Sequence, residues 1–195
     1  MEARALATYA RDCGAEALVL CPVNDWSFRP AEGPRVDGLR RALAELAPIL
    51  SAFGLIGLVE PLGFAESSLR LKREAVEAID AVGGDKVFRL VPDTFHHAVA
   101  GENEIFPERV GLVHISGVEA EDVALWSMRD LHRVLVGPRD RIGNVEQIRR
   151  LVEGGYAGCF SFEPFAASDS TTRQRTSDIA ESIAFLSRSR RSEAA

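Results

Sequence analysis

The 195-residue sequence predicts an α/β fold, a parallel (β/α)8 barrel of which about six strands are present. Three observations carry this expectation. Helical and strand-like patterns alternate along the whole chain, the order that builds a parallel sheet with helices between its strands. The strand segments are apolar runs rather than polar/apolar alternations, so they are buried on both faces. Four of those runs end on a residue able to bind a hard divalent metal: 55–60 on Glu60, 87–93 on Asp93, 110–114 on His114 and 159–163 on Glu163. A carboxylate or imidazole at the tip of a buried strand is costly unless a charge receives it. A barrel gathers the C-terminal ends of its strands around one site. An open doubly wound sheet is the competing architecture, but no glycine-rich phosphate loop follows the first strand.

The elements follow in order. A helix pattern over 4–13 stops at Gly14 and feeds the run 17–21. A polar loop with Asn24, Asp25, Pro30, Gly33 and Pro34 precedes a long helix, marked by Leu39, Leu43, Leu46, Leu50 and Phe53 at helical spacing and ended by Gly54. The Glu60 strand comes next, with Pro61 unable to extend the ladder. Ala75, Val76, Ile79 and Val82 mark another helix, stopped at Gly83-Gly84. The Asp93 and His114 strands are separated by a segment containing Gly101 and Pro107. A short extended piece, 134–136, is expected as the next barrel strand. Asn144 with Gln147 has the spacing of a capping box for a helix over 145–152. The Glu163 strand and a last helix near 176–186 complete the order.

Composition bounds the rest. A chain that is 46% hydrophobic supports one sizeable core, so a single partial barrel over 1–186 with a polar tail over 187–195 is expected. The tail's Arg188-Ser189-Arg190-Arg191 cluster is expected to be solvated. A net charge of -6 and a pI near 5.3 give no general basic footprint, and no nucleic-acid partner is expected. No apolar run is long enough to span a bilayer, and the N-terminus has no secretory core. Cys13, Cys21 and Cys159 lie in or near apolar segments and are expected as buried free thiols of a reducing cytoplasm. A complete barrel needs roughly 250 residues. The sequence begins inside a helix pattern, so two N-terminal βα units are expected to be missing. Strands 17–21 and 159–163 would then have open edges, with Leu18, Leu20, Phe160 and Phe162 facing water. Open edges invite pairing, which leaves a homo-oligomer open.

Val59-Glu60-Pro61-Leu62, Asp93-Thr94-Phe95-His96, Val113-His114-Ile115-Ser116 and Phe162-Glu163-Pro164 together resemble the xylose isomerase-like TIM-barrel superfamily of sugar isomerases and epimerases. The similarity spans about residues 5–186, and the Asp-Thr-Phe-His stretch looks most like its inositol-catabolism branch. The resemblance implies that Glu60, Asp93, His114 and Glu163 hold one divalent metal. Three carboxylates and an imidazole suit Mn²⁺ or Mg²⁺, with Co²⁺ or Zn²⁺ able to substitute. It further implies that Glu60 and Glu163 share proton transfer on a small polyol, keto-inositol or ketose through an enediolate. The outcome is epimerisation or isomerisation according to which carbon receives the proton.

Other residues are open to two readings. His96, in an Asp-x-x-His match, is expected to hydrogen-bond a substrate oxygen, and His97 is the better surface histidine. Arg133 either holds a substrate oxygen pair or forms a loop ion pair with Asp130. Trp26 either stacks on a sugar-like ring or covers the core. Asp130 and His132 match a metal pair of endonuclease IV, a distant relative, and a DNA-repair nuclease is the first alternative. The histidine that such an enzyme needs near Asn24 is not in the sequence. A truncated, inactive barrel is the second.

Overall fold

Short runs of three or four residues make five strands in two parallel groups, and two strands of two residues form a separate antiparallel pair, in the computed structural model, which describes residues 3–28, 31–166 and 171–192. In chain order the strands are β1 (Ala17–Leu20), β2 (Ile56–Val59), β3 (Phe88–Leu90), β4 (Val113–Ile115), β5 (Gly117–Val118), β6 (Arg133–Val134) and β7 (Phe160–Phe162). The helices are α1 (Ala3–Asp12), α2 (Glu32–Phe53), α3 (Lys72–Ala81), α4 (Thr94–Ala100), α5 (Asn144–Glu153) and α6 (Thr172–Ser192). Strands pair in parallel in the order β1-β2-β3, with Leu18 opposite Gly57 and Leu58 opposite Arg89. β4 and β7 form a second parallel pair, with His114 opposite Ser161. The bridges Leu90–Val110 and Asp93–His114 join the two groups, so β1, β2, β3, β4 and β7 follow one another side by side. Among the described residues neither β1 nor β7 has a partner on its outer side, and the barrel is not closed. No helix among them is long and apolar enough to cross a membrane.

Helices α1, α2 and α3 pack on the first group around Leu43, Leu50, Leu55, Ile79, Phe88 and Leu90. Gly57 permits the close approach there. A Cβ on it would lie 2.6 Å from a Phe88 ring atom and 2.8 Å from a Leu50 methyl. Helix α2 ends where Gly54 turns left-handed (φ 67°) and returns its N–H to the last turn. Val113, Ile115, Ile148, Leu151 and Tyr156 form the core beneath β4 and β7.

Several expectations need correction. The piece after Asp130 is not a barrel strand. β6 leaves the wall and pairs antiparallel with β5 (Gly117 opposite Val134), while β7 takes the place beside β4. The cause is local: Gly117 lets the chain at Leu135 and Val136 come within 3.0–3.1 Å of where its Cβ would be. The segment after Asp93 is a helix, α4, capped by the Asp93 side chain and ended by Gly101 at φ 66°. Asn144 and Gln147 form no capping box. Gly143 is the N-cap, and the two amides bond instead to Ser116 O and Asp140, and to Thr94 O and Ile142 O. Leu18, Leu20, Phe160 and Phe162 are half-buried rather than facing water, because each packs on the adjacent core. All three cysteines are free but exposed, since they sit at the ends of elements rather than within the packed faces. The last helix runs to Ser192, beyond the expected 186. Pro30, the side chains of Ser189, Arg190 and Arg191, and residues 193–195 of the expected tail lie outside the described residues.

Candidate metal centre

Glu60 follows β2 directly, Asp93 caps α4 after β3, His114 lies within β4, and Glu163 follows β7. One ligand atom from each lies within 4.8 Å of all the others. Glu60, Asp93 and His114 are 3%, 2% and 7% exposed, whereas the Glu163 side chain is 31% exposed. His114 turns Nδ1 to the carboxylates, 2.8 Å from Glu60 Oε1 and 3.3 Å from Glu163 Oε2. Asp93 Oδ1 accepts from the amides of Phe95 (2.7 Å) and His96 (3.0 Å), which fixes the carboxylate and leaves Oδ2 turned inward.

Arg133 reaches into the same space and is 1% exposed. Its Nη2 donates to Asp93 Oδ2 (2.5 Å) and Glu163 Oε2 (2.8 Å), Nε to Ser116 Oγ (3.0 Å) and Nη1 to Asp130 (3.2 Å). Its guanidinium also lies over the rings of Phe95 and Phe165. These partners use four of its five N–H donors on the protein itself, the loop ion pair with Asp130 among them, and leave one Nη1–H over.

The charges define what the cluster can hold. Burial opposes a charge on His114, but Glu163 and Glu60 outweigh it and raise the ring to about 10. Burial likewise raises Glu163, yet the His114 and Arg133 contacts prevail and hold its carboxyl low. At Asp93 burial prevails over Arg133, and the carboxyl is raised. Three carboxylates against one guanidinium leave two negative charges once an arriving ion displaces the proton that the raised His114 otherwise carries. A divalent cation matches that residue of charge, and the oxygen-rich donor set is the kind that hard ions take.

Nearly the whole chain fits one family model. Residues 2–189 match the model described as xylose isomerase-like TIM barrel. The chain belongs to that family. Among solved structures, this xylose isomerase-like barrel is similar to a xylose isomerase domain containing protein from Salmonella typhimurium LT2, with 33% identity and a TM-score of 0.77 over 95% of this chain and 65% of that one. It is similar in fold to IolI, solved with a binding zinc atom (19% identity, TM-score 0.82, covering 94% and 67%). It also matches a D-psicose 3-epimerase from Clostridium cellulolyticum H10, solved with D-tagatose (18%, 0.70, 96% and 68%). The barrel thus spans about two thirds of the length of these structures. No curated protein matches it.

The other expected site residues divide. His96 is 4% exposed beside Asp93, with its ring edge-on to Phe64 and Phe95. Trp26 is 54% exposed on the loop after β1. His97 is not a surface histidine: it is half-buried with Nδ1 2.8 Å from the Lys72 ammonium, because α4 turns it onto the start of α3. His132 accepts from the Arg129 amide through Nδ1 (2.9 Å) and, like Asp130, is outside the metal-competent group. Two contacts were missed. Ser116 supports Arg133, and the Cys21 thiol donates to Glu60 Oε2 at 3.5 Å. Burial and Glu60 push that thiol up to about 12. Cys21 ends the first strand run, so the strand-tip rule applied to β1 would have found it.

Proposed function

We propose that this barrel is a divalent-metal-dependent isomerase or epimerase of a small polyol, keto-inositol or ketose, working in the cytoplasm on a free small molecule rather than on nucleic acid. The observation that carries the reading is the convergence of Glu60, Asp93, His114 and Glu163 with unbalanced negative charge. These four residues would hold the ion, with Mn²⁺ favoured by the donor set and Mg²⁺, Co²⁺ or Zn²⁺ able to replace it. When bound, the ion supplies Lewis acidity toward a carbonyl and its neighbouring hydroxyl.

The chain's own residues do the rest. Glu163, the most exposed of the three carboxylates, removes the carbon-bound proton next to the carbonyl. Glu60, steadied by His114 and Cys21, serves the opposite side: in its protonated form it delivers a proton to the enediolate while Glu163 keeps the one it removed, and exchange with water resets the two carboxyl groups. His96 donates to a substrate oxygen, and Trp26 forms part of the rim. Arg133 acts here as a positioning residue, since its donors hold Asp93 and Glu163 in place.

Metal analysis and proton exchange test the reading. About one divalent ion per chain is expected, lost in Asp93→Ala and His114→Ala. Against a panel of ketoses and keto-inositols, the carbon-bound hydrogen of one substrate should exchange with D₂O. Glu163→Gln at matched metal occupancy should slow that exchange by ~10²–10⁴-fold. Parent-like exchange in Glu163→Gln would place the base elsewhere.

A further inference from the structure

Lys72, at the start of α3, is a buried ammonium, 3% exposed. Its Nζ donates to Glu102 Oε2 at 2.6 Å and to His97 Nδ1 at 2.8 Å. Glu102 is fixed in turn by the Lys72 and Arg73 amides (3.1 and 3.3 Å). An ammonium carries three protons, so one of Lys72's donors is left over. His97 accepts through Nδ1, so its ring is neutral and carries its proton on Nε2. Burial and the Lys72 charge agree, holding that ring down at about 3.

His96 presents the complementary lack. The ring is 4% exposed, and its Nδ1 is sealed from solvent with no hydrogen-bond partner. Lys72, His97 and Glu102 line a small cavity together with His96 and Asp93, of about 10 Å³. That is the lower limit of the roughly 10–15 Å³ that one water needs, and a buried water needs two to four polar partners. A spare donor, an orphaned nitrogen and two carboxylates share the walls of this cavity.

We propose that the cavity holds one ordered water that accepts the third Lys72 proton and donates to His96 Nδ1. Its second hydrogen is available to the Glu102 or Asp93 carboxylate. Nδ1 then acts as an acceptor, and the ring proton is confined to Nε2. Lys72, Glu102 and His97 thus form a positioning device that selects the His96 tautomer without touching substrate. The consequence for catalysis, a pre-set Nε2–H donor for a substrate oxygen, rests on the reading under Proposed function; the water and the tautomer do not.

The test is long-range ¹H–¹⁵N correlation on the histidine-labelled full chain, with a crystal structure of the parent protein. The parent is expected to show His96 as the neutral Nε2–H form and density for one water between Lys72 and His96. Lys72→Met is expected to give a mixture of His96 tautomers with His114 and metal content unchanged. Once a substrate is known, it should also lower kcat/KM by about tenfold at unchanged metal content. An Nδ1–H tautomer in the parent, or a dry cavity, would overturn the proposal. Both readouts come from the parent, so they decide even if Lys72→Met fails to fold. A fixed Nε2–H tautomer without any turnover would retire the isomerase reading and leave this one standing.

Discussion

Replacing Arg133 by Met removes the cation that two site carboxylates share. The Arg133 and Asp93 side chains are 1% and 0% exposed, and Oδ2 of Asp93 faces that guanidinium at 2.5 Å. Its other oxygen keeps the Phe95 and His96 amides, so the loss falls on Oδ2. Breaking a buried pair from one side costs about 3–5 kcal/mol, because the partner charge is left without compensation. Glu163 adds little to this, since its side chain is 31% exposed and water and His114 can take over. At about 2–4 °C per kcal/mol for a chain of this size, Tm should fall by roughly 6–20 °C in chelated protein. The deficit should shrink on adding Mn²⁺, because an ion bound only by the folded state restores positive charge. It should also shrink as the pH falls and Asp93 protonates. Thermal melts with and without chelator measure all three effects. A stability loss under about 1 kcal/mol in chelated protein would refute the assignment of Arg133 as the internal counter-charge.

Gly63→Ala should destabilise the fold by about 1–3 kcal/mol, since its Cβ would lie 2.2 Å from His96 O and 2.8 Å from Ala100 N, backbone atoms that cannot swing aside; a parent-like melt would count against the packing of this loop on α4. The buried neutral histidines set an acid limit. His96 and His97 have folded values lowered to about 4 and about 3 from 6.5, so their contribution is complete above 6.5 and is lost as the pH falls from there toward 4 and 3. Denaturant titrations from pH 7 to 4 should show it, and His97→Gln should reduce the slope; an equal slope in that variant would exclude His97 as a contributor. All three thiols are exposed, yet Cys21 should react last with a disulfide probe, because its value is pushed up to about 12. Labelling Cys21 first would contradict the Glu60 contact.

The four metal-competent residues were legible because each terminates or interrupts an apolar run, and a polar end on a buried strand has few bland explanations. The order of helices and strands was legible for the same reason, through glycine stops such as Gly54. Pairings between distant side chains were not. Lys72 meets Glu102 and His97 across 30 and 25 positions, and nothing in either local pattern marks the pairing. Helix α4 was hidden by its seven-residue length, although Asp93 and Gly101 were its caps in plain view. Asn144 and Gln147 have the right spacing for a capping box but spend their amides on Ser116, Asp140 and Thr94, a tertiary demand that outweighs the local one. The same holds for Arg133, whose sequence context shows Asp130 but not Asp93 or Glu163.

The seam between the two parallel groups of strands runs through the centre itself. Glu60 and Asp93 follow strands of the three-stranded sheet, whereas His114 and Glu163 belong to the β4–β7 pair. Among the described residues two isolated bridges are all the sheet pairing that crosses between them, and one is Asp93–His114. An ion held by all four side chains would act as a rivet through two plates. Parting the plates and shedding the ion would then be the same mechanical event, and a chelator would loosen the architecture at the joint where the strand ladder is thinnest.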